Sequence, residues 1–173
     1  MSLKAAEIPQ SLSPEMEAQA RDCVIREGWL LDQRDWDAWV ALYTEDAEYW
    51  LPSWDDEYNL TQDPLNELSH IYYSDRTGLE DRVFRLRTER SLASTPLPRT
   101  CHMIQVAQVQ REGDDIVVGS NWTTHSYRHG TASYFFGQQT HRLRDTEAGL
   151  RIAARKVVVA NDCIPNVLDI YSV

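Results

Sequence analysis

Five histidines, three cysteines and scattered carboxylates are the side chains that could carry acid–base, nucleophilic or metal chemistry here. His125 and His129 alone stand close enough to suggest a metal pair, since four residues is the ligand spacing of a helix. The surrounding SNWTTHSYRHG argues for a strand, where that separation is about 13 Å at ~3.3 Å per residue, too far to share an ion. The pair therefore reads as solvated or hydrogen-bonded strand histidines. Cys101 and His102 are neighbours in another strand, so their side chains leave opposite faces and cannot act together as nucleophile and base. Cys23, Cys101 and Cys163 show no CxxC spacing and read as free, mostly buried thiols. GxSxG, HExxH and Gly-rich phosphate-loop patterns are absent. The best acid–base set is Asp46 with Tyr43, His102 or His125, in a pocket under a sheet. The competing reading makes Asp46 a cap or turn residue between helix and strand. A cluster of Arg82, Arg85, Arg87 and Arg90 either receives the acids of a partner chain or is a solvated helix face.

The elements that must position these groups begin at Arg21–Pro52, which reads as two amphipathic helices running into a strand. Met16, Ala20, Cys23, Val24, Leu30 and Leu31 recur at helical intervals, giving a face that is apolar except for Glu27. Ser13-Pro14-Glu15 supplies a cap oxygen, a preset φ and an acid at the positive dipole end. Asp35 caps a second helix whose inner side is expected to carry Trp36, Trp39, Val40 and Tyr43. From Asp46 the chain turns to strand chemistry, ending at Pro52. So many Trp and Tyr side chains call for a wide sheet face to pack on.

Beyond Pro52, SWDDEYNLTQDPLNELS reads as an exposed loop, long enough to be functional. His70–Ser74 is a short strand. Asp75 or Thr77 caps a third helix, TGLEDRVFRLRTER, with Leu79, Val83 and Leu86 inside and an Asp81–Arg85 pair outside. The turn SLASTPLP then leads to four strand candidates in a meander, over 99–111, 115–129, 132–145 and 150–161. Leu150, Ile152, Ala154, Lys156 and Val158 are expected on one face of the last strand. One sheet face would take the helices and the other a second chain. The tail NDCIPNVLDIYSV is too apolar for a free end and should dock. Residues 1–12 read as a flexible arm.

At 173 residues the chain fits one domain, 1–173, with room for a proper core and none for a second catalytic domain. Its net charge of −10 and sequence pI near 4.9 disfavour nucleic acid as a partner. No apolar run approaches the ~20 residues of a membrane span, and the N-terminus lacks a signal-peptide core, so a cytoplasmic location is expected.

Three stretches carry a family resemblance: LLDQRDWDAWVALYTEDAEYWLP, IYYSDRTGLEDRVFRLRTERSLASTPLPRTCHMI and SYRHGTASYFFGQQTHRLR. In this order the chain resembles, over nearly its whole length, the small (β) subunits of aromatic-ring-hydroxylating dioxygenases. WDDEY followed by LTQDP and IYY is similar to the branch acting on benzoate, halobenzoates and anthranilate. The resemblance implies an α+β, cone-shaped fold similar to nuclear transport factor 2 and ketosteroid isomerase. In it, three helices pack on a strongly curved, mostly antiparallel sheet. It also implies a homotrimer supporting three large (α) oxygenase subunits in an α3β3-type assembly. The Rieske [2Fe–2S] cluster and mononuclear iron would belong to the large subunit, with NADH acting through a reductase. No cofactor is expected in this chain, and no catalytic activity from the chain alone. The alternative is a stand-alone dehydratase or isomerase using an Asp/His/Tyr set in the cone. Interface residues expected on aromatic and arginine chemistry are Trp54, Asp55, Tyr58, Tyr73, Arg82, Arg85 and Arg99. The governing expectation is a sheet hollow filled by aromatic helices, leaving no reaction chamber.

Overall fold

Ser13 opens the first helix, α1 (Pro14–Gln33), its hydroxyl accepting the Met16 N–H at 3.2 Å. The structure, a computed structural model, describes residues 12–88, 94–165 and 167–173. Most of the expected arm, Arg90, and the start of the turn after the third helix lie outside these residues. Arg34 ends α1 in the left-handed region, φ 57°, and Asp35 caps α2 (Trp36–Val40) by accepting the Ala38 N–H. That second helix is shorter than expected. The Leu42 carbonyl already accepts the Ile152 N–H at 2.8 Å, so strand pairing takes the backbone before another helical turn can form. Tyr43 therefore starts β1 (Tyr43–Pro52) instead of closing a helix.

The remaining elements are β2 (Ser69–Tyr73), α3 (Arg76–Arg87), β3 (Arg99–Glu112), β4 (Asp115–Arg128), β5 (Thr131–Thr146) and β6 (Gly149–Val159). Their order in the sheet is β2-β1-β6-β5-β4-β3. The β3–β6 meander is antiparallel throughout, as its Gly-bearing hairpin turns require. Among the described strands only β1 and β6 run parallel, because the chain between them crosses from one half of the sheet to the other.

One core fills the face between helices and sheet. Ala20, Val24 and Leu31 of α1 meet Trp39, Tyr43, Tyr49, Leu51, Val118, Leu143 and Ile152, all essentially without solvent exposure. Each large side chain buried this way contributes ~1.5–3 kcal/mol. α3 adds its expected stripe of Leu79, Val83 and Leu86. Its i,i+4 pair is Arg76–Glu80, not Asp81–Arg85. The tail docks on its own chain: Asp169 takes both sides of the Arg82 guanidinium fork, with Nε at 2.7 Å, and caps a 3-10 turn over Ile170–Ser172. Val173 is fully buried.

The last strand departs from simple alternation. Leu143 pairs with Ile152 but Arg142 pairs with Ala154, so Ala153 is an inserted residue. Beyond it every side chain changes face. Arg155, Val157 and Val159 point into the core, while Lys156 stacks over the Trp50 ring outside, so Leu150 and Ile152 do not share a face with Ala154, Lys156 and Val158 as expected.

Candidate functional site

Three buried elements converge on Glu27, the single acid in the apolar stripe of α1. From β5 comes His141, whose Nε2 lies 2.9 Å from Glu27 Oε2. From β6 comes Arg155, with Nη1 3.0 Å from Oε1, and from β1 comes Tyr43, whose hydroxyl donates to the same oxygen. Arg155 also donates to Tyr49 Oη at 3.1 Å and to Gln139 Oε1 at 2.8 Å. Glu27 and His141 have no solvent exposure and Arg155 has 2%. Burial alone would raise the Glu27 carboxyl, but Arg155, His141 and Tyr43 outweigh it and hold it at about 2. Burial holds His141 below its ordinary value against the pull of Glu27, so the ring is neutral. Burial, then the Glu27 charge, raises Tyr43.

The chemistry open to this cluster is narrow. An ionised carboxylate with a low pKa is a weak base, its oxygens already accept from three side chains, and among the described residues it has no solvent exposure. It is a sealed ionic knot joining α1 to three strands. Asp32, one turn further along α1, makes a second tie. It accepts from Thr100 Oγ1 at 2.8 Å, the His102 N–H at 2.9 Å and His102 Nδ1 at 2.6 Å. Burial opposes ionisation there, and the bonds from His102 and Thr100 lower the Asp32 pKa nonetheless.

The expected acid–base set is not brought together. Asp46 is exposed and pairs with Arg144 at 2.9 Å, Tyr43 binds Glu27, His102 binds Asp32, and His125 lies exposed on the far side of the sheet. Glu27, His141 and Arg155 are the acid, the imidazole and the cation that sequence reasoning did not assemble. The one available signal was a carboxylate interrupting an otherwise apolar helix face. Of the thiols, only Cys23 is buried; Cys101 and Cys163 are exposed, correcting the expectation for those two. Among the described residues no three His, Cys, Asp or Glu side chains group as metal ligands. The three cysteines stand apart on α1, β3 and the tail, so this donor set does not fit a Rieske cluster.

The sheet face opposite the helices is different. Met103, Tyr127, Tyr134 and Phe136 are all about half exposed, and the His125, Tyr134 and Phe136 rings stand in sequence about 6 Å apart. A groove of about 630 Å³ runs here beside Trp54, Met103, Gln105, Asn121, Phe136 and Gln138, with no charged side chain in its lining. Trp54 is fixed over the strand ends by its Nε1–H bond to Val159 O at 2.8 Å.

The other residues expected at an interface fall on several elements. Asp55 and Tyr58 lie exposed in the loop after β1, Tyr58 at 80%, braced by Asp56 accepting the N–H groups of Tyr58 and Asn59 at 2.7 Å. Tyr73 is half-buried against Tyr49, Arg85 is exposed on α3, and Arg99 is exposed at the start of β3. Arg82 is occupied within the chain by Asp169. Met103, Tyr127, Tyr134 and Phe136 were not singled out from the sequence, though each occupies an outward position of an alternating strand.

Comparison with known proteins places this architecture. The chain is 47% identical to the 2-halobenzoate 1,2-dioxygenase small subunit of Burkholderia cepacia, over 87% of this chain and 92% of that one. A solved structure of the beta subunit of benzoate 1,2-dioxygenase from Burkholderia mallei superposes with a TM-score of 0.76 at 38% identity, covering 95% of this chain and 99% of the other. A nuclear transport factor 2-like protein from Novosphingobium aromaticivorans shares the fold alone, with a TM-score of 0.58 at 18% identity, over 88% and 86% of the two chains. The model of the ring hydroxylating beta subunit family matches residues 26–166, a span containing both the sealed knot and the uncharged groove, and the chain belongs to that family.

Proposed function

We propose that this chain is a non-catalytic structural subunit of a Rieske non-haem iron aromatic-ring dioxygenase acting on benzoate-like substrates. In this reading it is one domain along its length. Three copies form a homotrimer that carries three large subunits, which hold the iron–sulfur cluster and the mononuclear iron, with electrons from NADH through a reductase. Its location is the cytoplasm, and no described helix is long and apolar enough to cross a membrane. The observation that carries the proposal is a contrast: the acid–base cluster is shut from solvent while the opposite sheet face carries an open groove with aromatic and no charged side chains in its lining. An enzyme of the ketosteroid isomerase type needs the reverse, a reachable acid and base. An exposed apolar patch of this kind marks a protein contact.

The contacts proposed are Trp54, Asp55, Tyr58, Tyr73, Arg85 and Arg99, joined by Met103 and Phe136 from the outer face. Arg82 serves the contact indirectly, by fixing the tail. Expressed alone, the chain should be colourless, free of iron and without turnover. Co-expressed with its large subunit and supplied with a reductase, it should support NADH-driven dihydroxylation of a benzoate. Phe136→Asp, placing a charge in the groove, should abolish co-purification while leaving the monomer folded. Turnover of a ring hydroxy-acid or ketone by the lone chain, or unimpaired assembly of Phe136→Asp, would defeat the proposal.

A further inference from the structure

On the helix-covered face of β4 and β5, Ser120 Oγ, Gln139 Nε2 and His141 Nδ1 are buried polar atoms with no hydrogen-bond partner among the described residues, as is Thr124 Oγ1 four residues further along β4. Ser120, Gln139 and His141 are 4%, 2% and 0% exposed. Leaving such atoms unpaired costs ~1–3 kcal/mol each, which makes three of them together a pattern to be explained. They are also neighbours: Ser120 and Gln139 are register partners across β4 and β5, and His141 follows Gln139 on the same face.

The far end of each longer side chain is already fixed. Gln139 Oε1 receives two N–H groups of Arg155, at 2.8 and 3.3 Å, so the amide cannot flip without setting its NH2 against a guanidinium. His141 is held by its Nε2–H bond to the ionised Glu27, which makes Nδ1 of the neutral ring a bare acceptor. The demands are complementary: Gln139 offers N–H, His141 asks for a donor, and the Ser120 hydroxyl can do either.

We propose that a single buried water binds here, accepting from Gln139 Nε2–H, donating to His141 Nδ1 and completing its shell at Ser120 Oγ. One water with two to four polar partners is the ligand that such a site takes, and no charged ligand suits it, since it presents one acceptor, one donor and one hydroxyl. Bound there, the water locks His141 in its Nε2–H tautomer and becomes part of the knot that ties α1 to the sheet.

A crystal structure of the full chain, alone or with its large subunit, at a resolution that orders individual waters, tests this. The expected result is a spherical peak about 2.7–3.2 Å from all three atoms. Ser120→Ala should keep the peak on its two remaining partners with a Tm loss below about 4 °C, whereas Ser120→Val should expel it. The inference fails if the wild-type site shows no peak or if Ser120 Oγ bonds directly to both Gln139 and His141. It fails equally if the density there is a metal or a larger molecule. The wild-type crystal decides even if Ser120→Val does not fold.

Discussion

Replacing Arg155 by Met tests the ionic knot most directly, because it removes the cation and nearly preserves the volume. Glu27 would keep only Tyr43 and a neutral His141, and Gln139 Oε1 and Tyr49 Oη would lose their donor. Removing one partner of a buried pair costs ~3–5 kcal/mol. The titration of Glu27 gives a consistent figure. Held at about 2 instead of 4.5, the folded-state carboxyl contributes about 3 kcal/mol near neutral pH. The sign follows from the depressed value: that stability is complete above 4.5 and is lost as pH falls toward 2. In Arg155→Met the dominant remaining influence is burial, which raises the carboxyl above its unfolded value and reverses the dependence. The variant should gain stability relative to wild type as pH falls from 7 to 5. Urea unfolding at both pH values, at fixed protein concentration, measures this. We expect a loss of ~3–5 kcal/mol at pH 7, less at pH 5, and substantial recovery in the Glu27→Leu, Arg155→Met double variant. A loss below about 1 kcal/mol, or one equal at both pH values, would refute the view that Arg155 stabilises a buried Glu27 charge.

Asp169→Ala should destabilise by about 1.5–3 kcal/mol and expose the C-terminal residues to carboxypeptidase, while Arg85→Glu on the same surface changes stability by no more than about 0.5 kcal/mol; thermal melts and mass spectrometry distinguish the two. A β-carbon at Gly137 would stand 2.0 Å from the Val158 carbonyl oxygen. Gly137→Ala should therefore break the β5–β6 ladder and yield insoluble protein, scored by soluble expression. Cys23, whose thiol burial and the nearby Glu27 push up to about 11, should resist iodoacetamide in the native chain and react only after denaturation. Cys163, exposed, should react in both states.

The sequence by itself determined the elements, because their signals are local. Ser13, Asp35 and Asp75 are cap oxygens whose bonds span two or three residues, and the meander turns are set by short Gly-bearing segments. Strand and helix limits come out within a few residues of those read from pattern. The family motifs, and with them the fold, are likewise properties of linear order.

The site was a different matter. Period-two alternation in the last strand put Leu150, Ile152, Ala154, Lys156 and Val158 on one face, and one inserted residue, Ala153, split that set between two. A bulge depends on which strands pair and in what register, information spread over β1, β5 and β6. Glu27 and His141 are 114 positions apart, and nothing local marks them as partners. Only once the sheet closes over α1 do acid, imidazole and guanidinium share a volume from which water is excluded. That exclusion decides both that Glu27 stays charged and that it cannot act on a substrate.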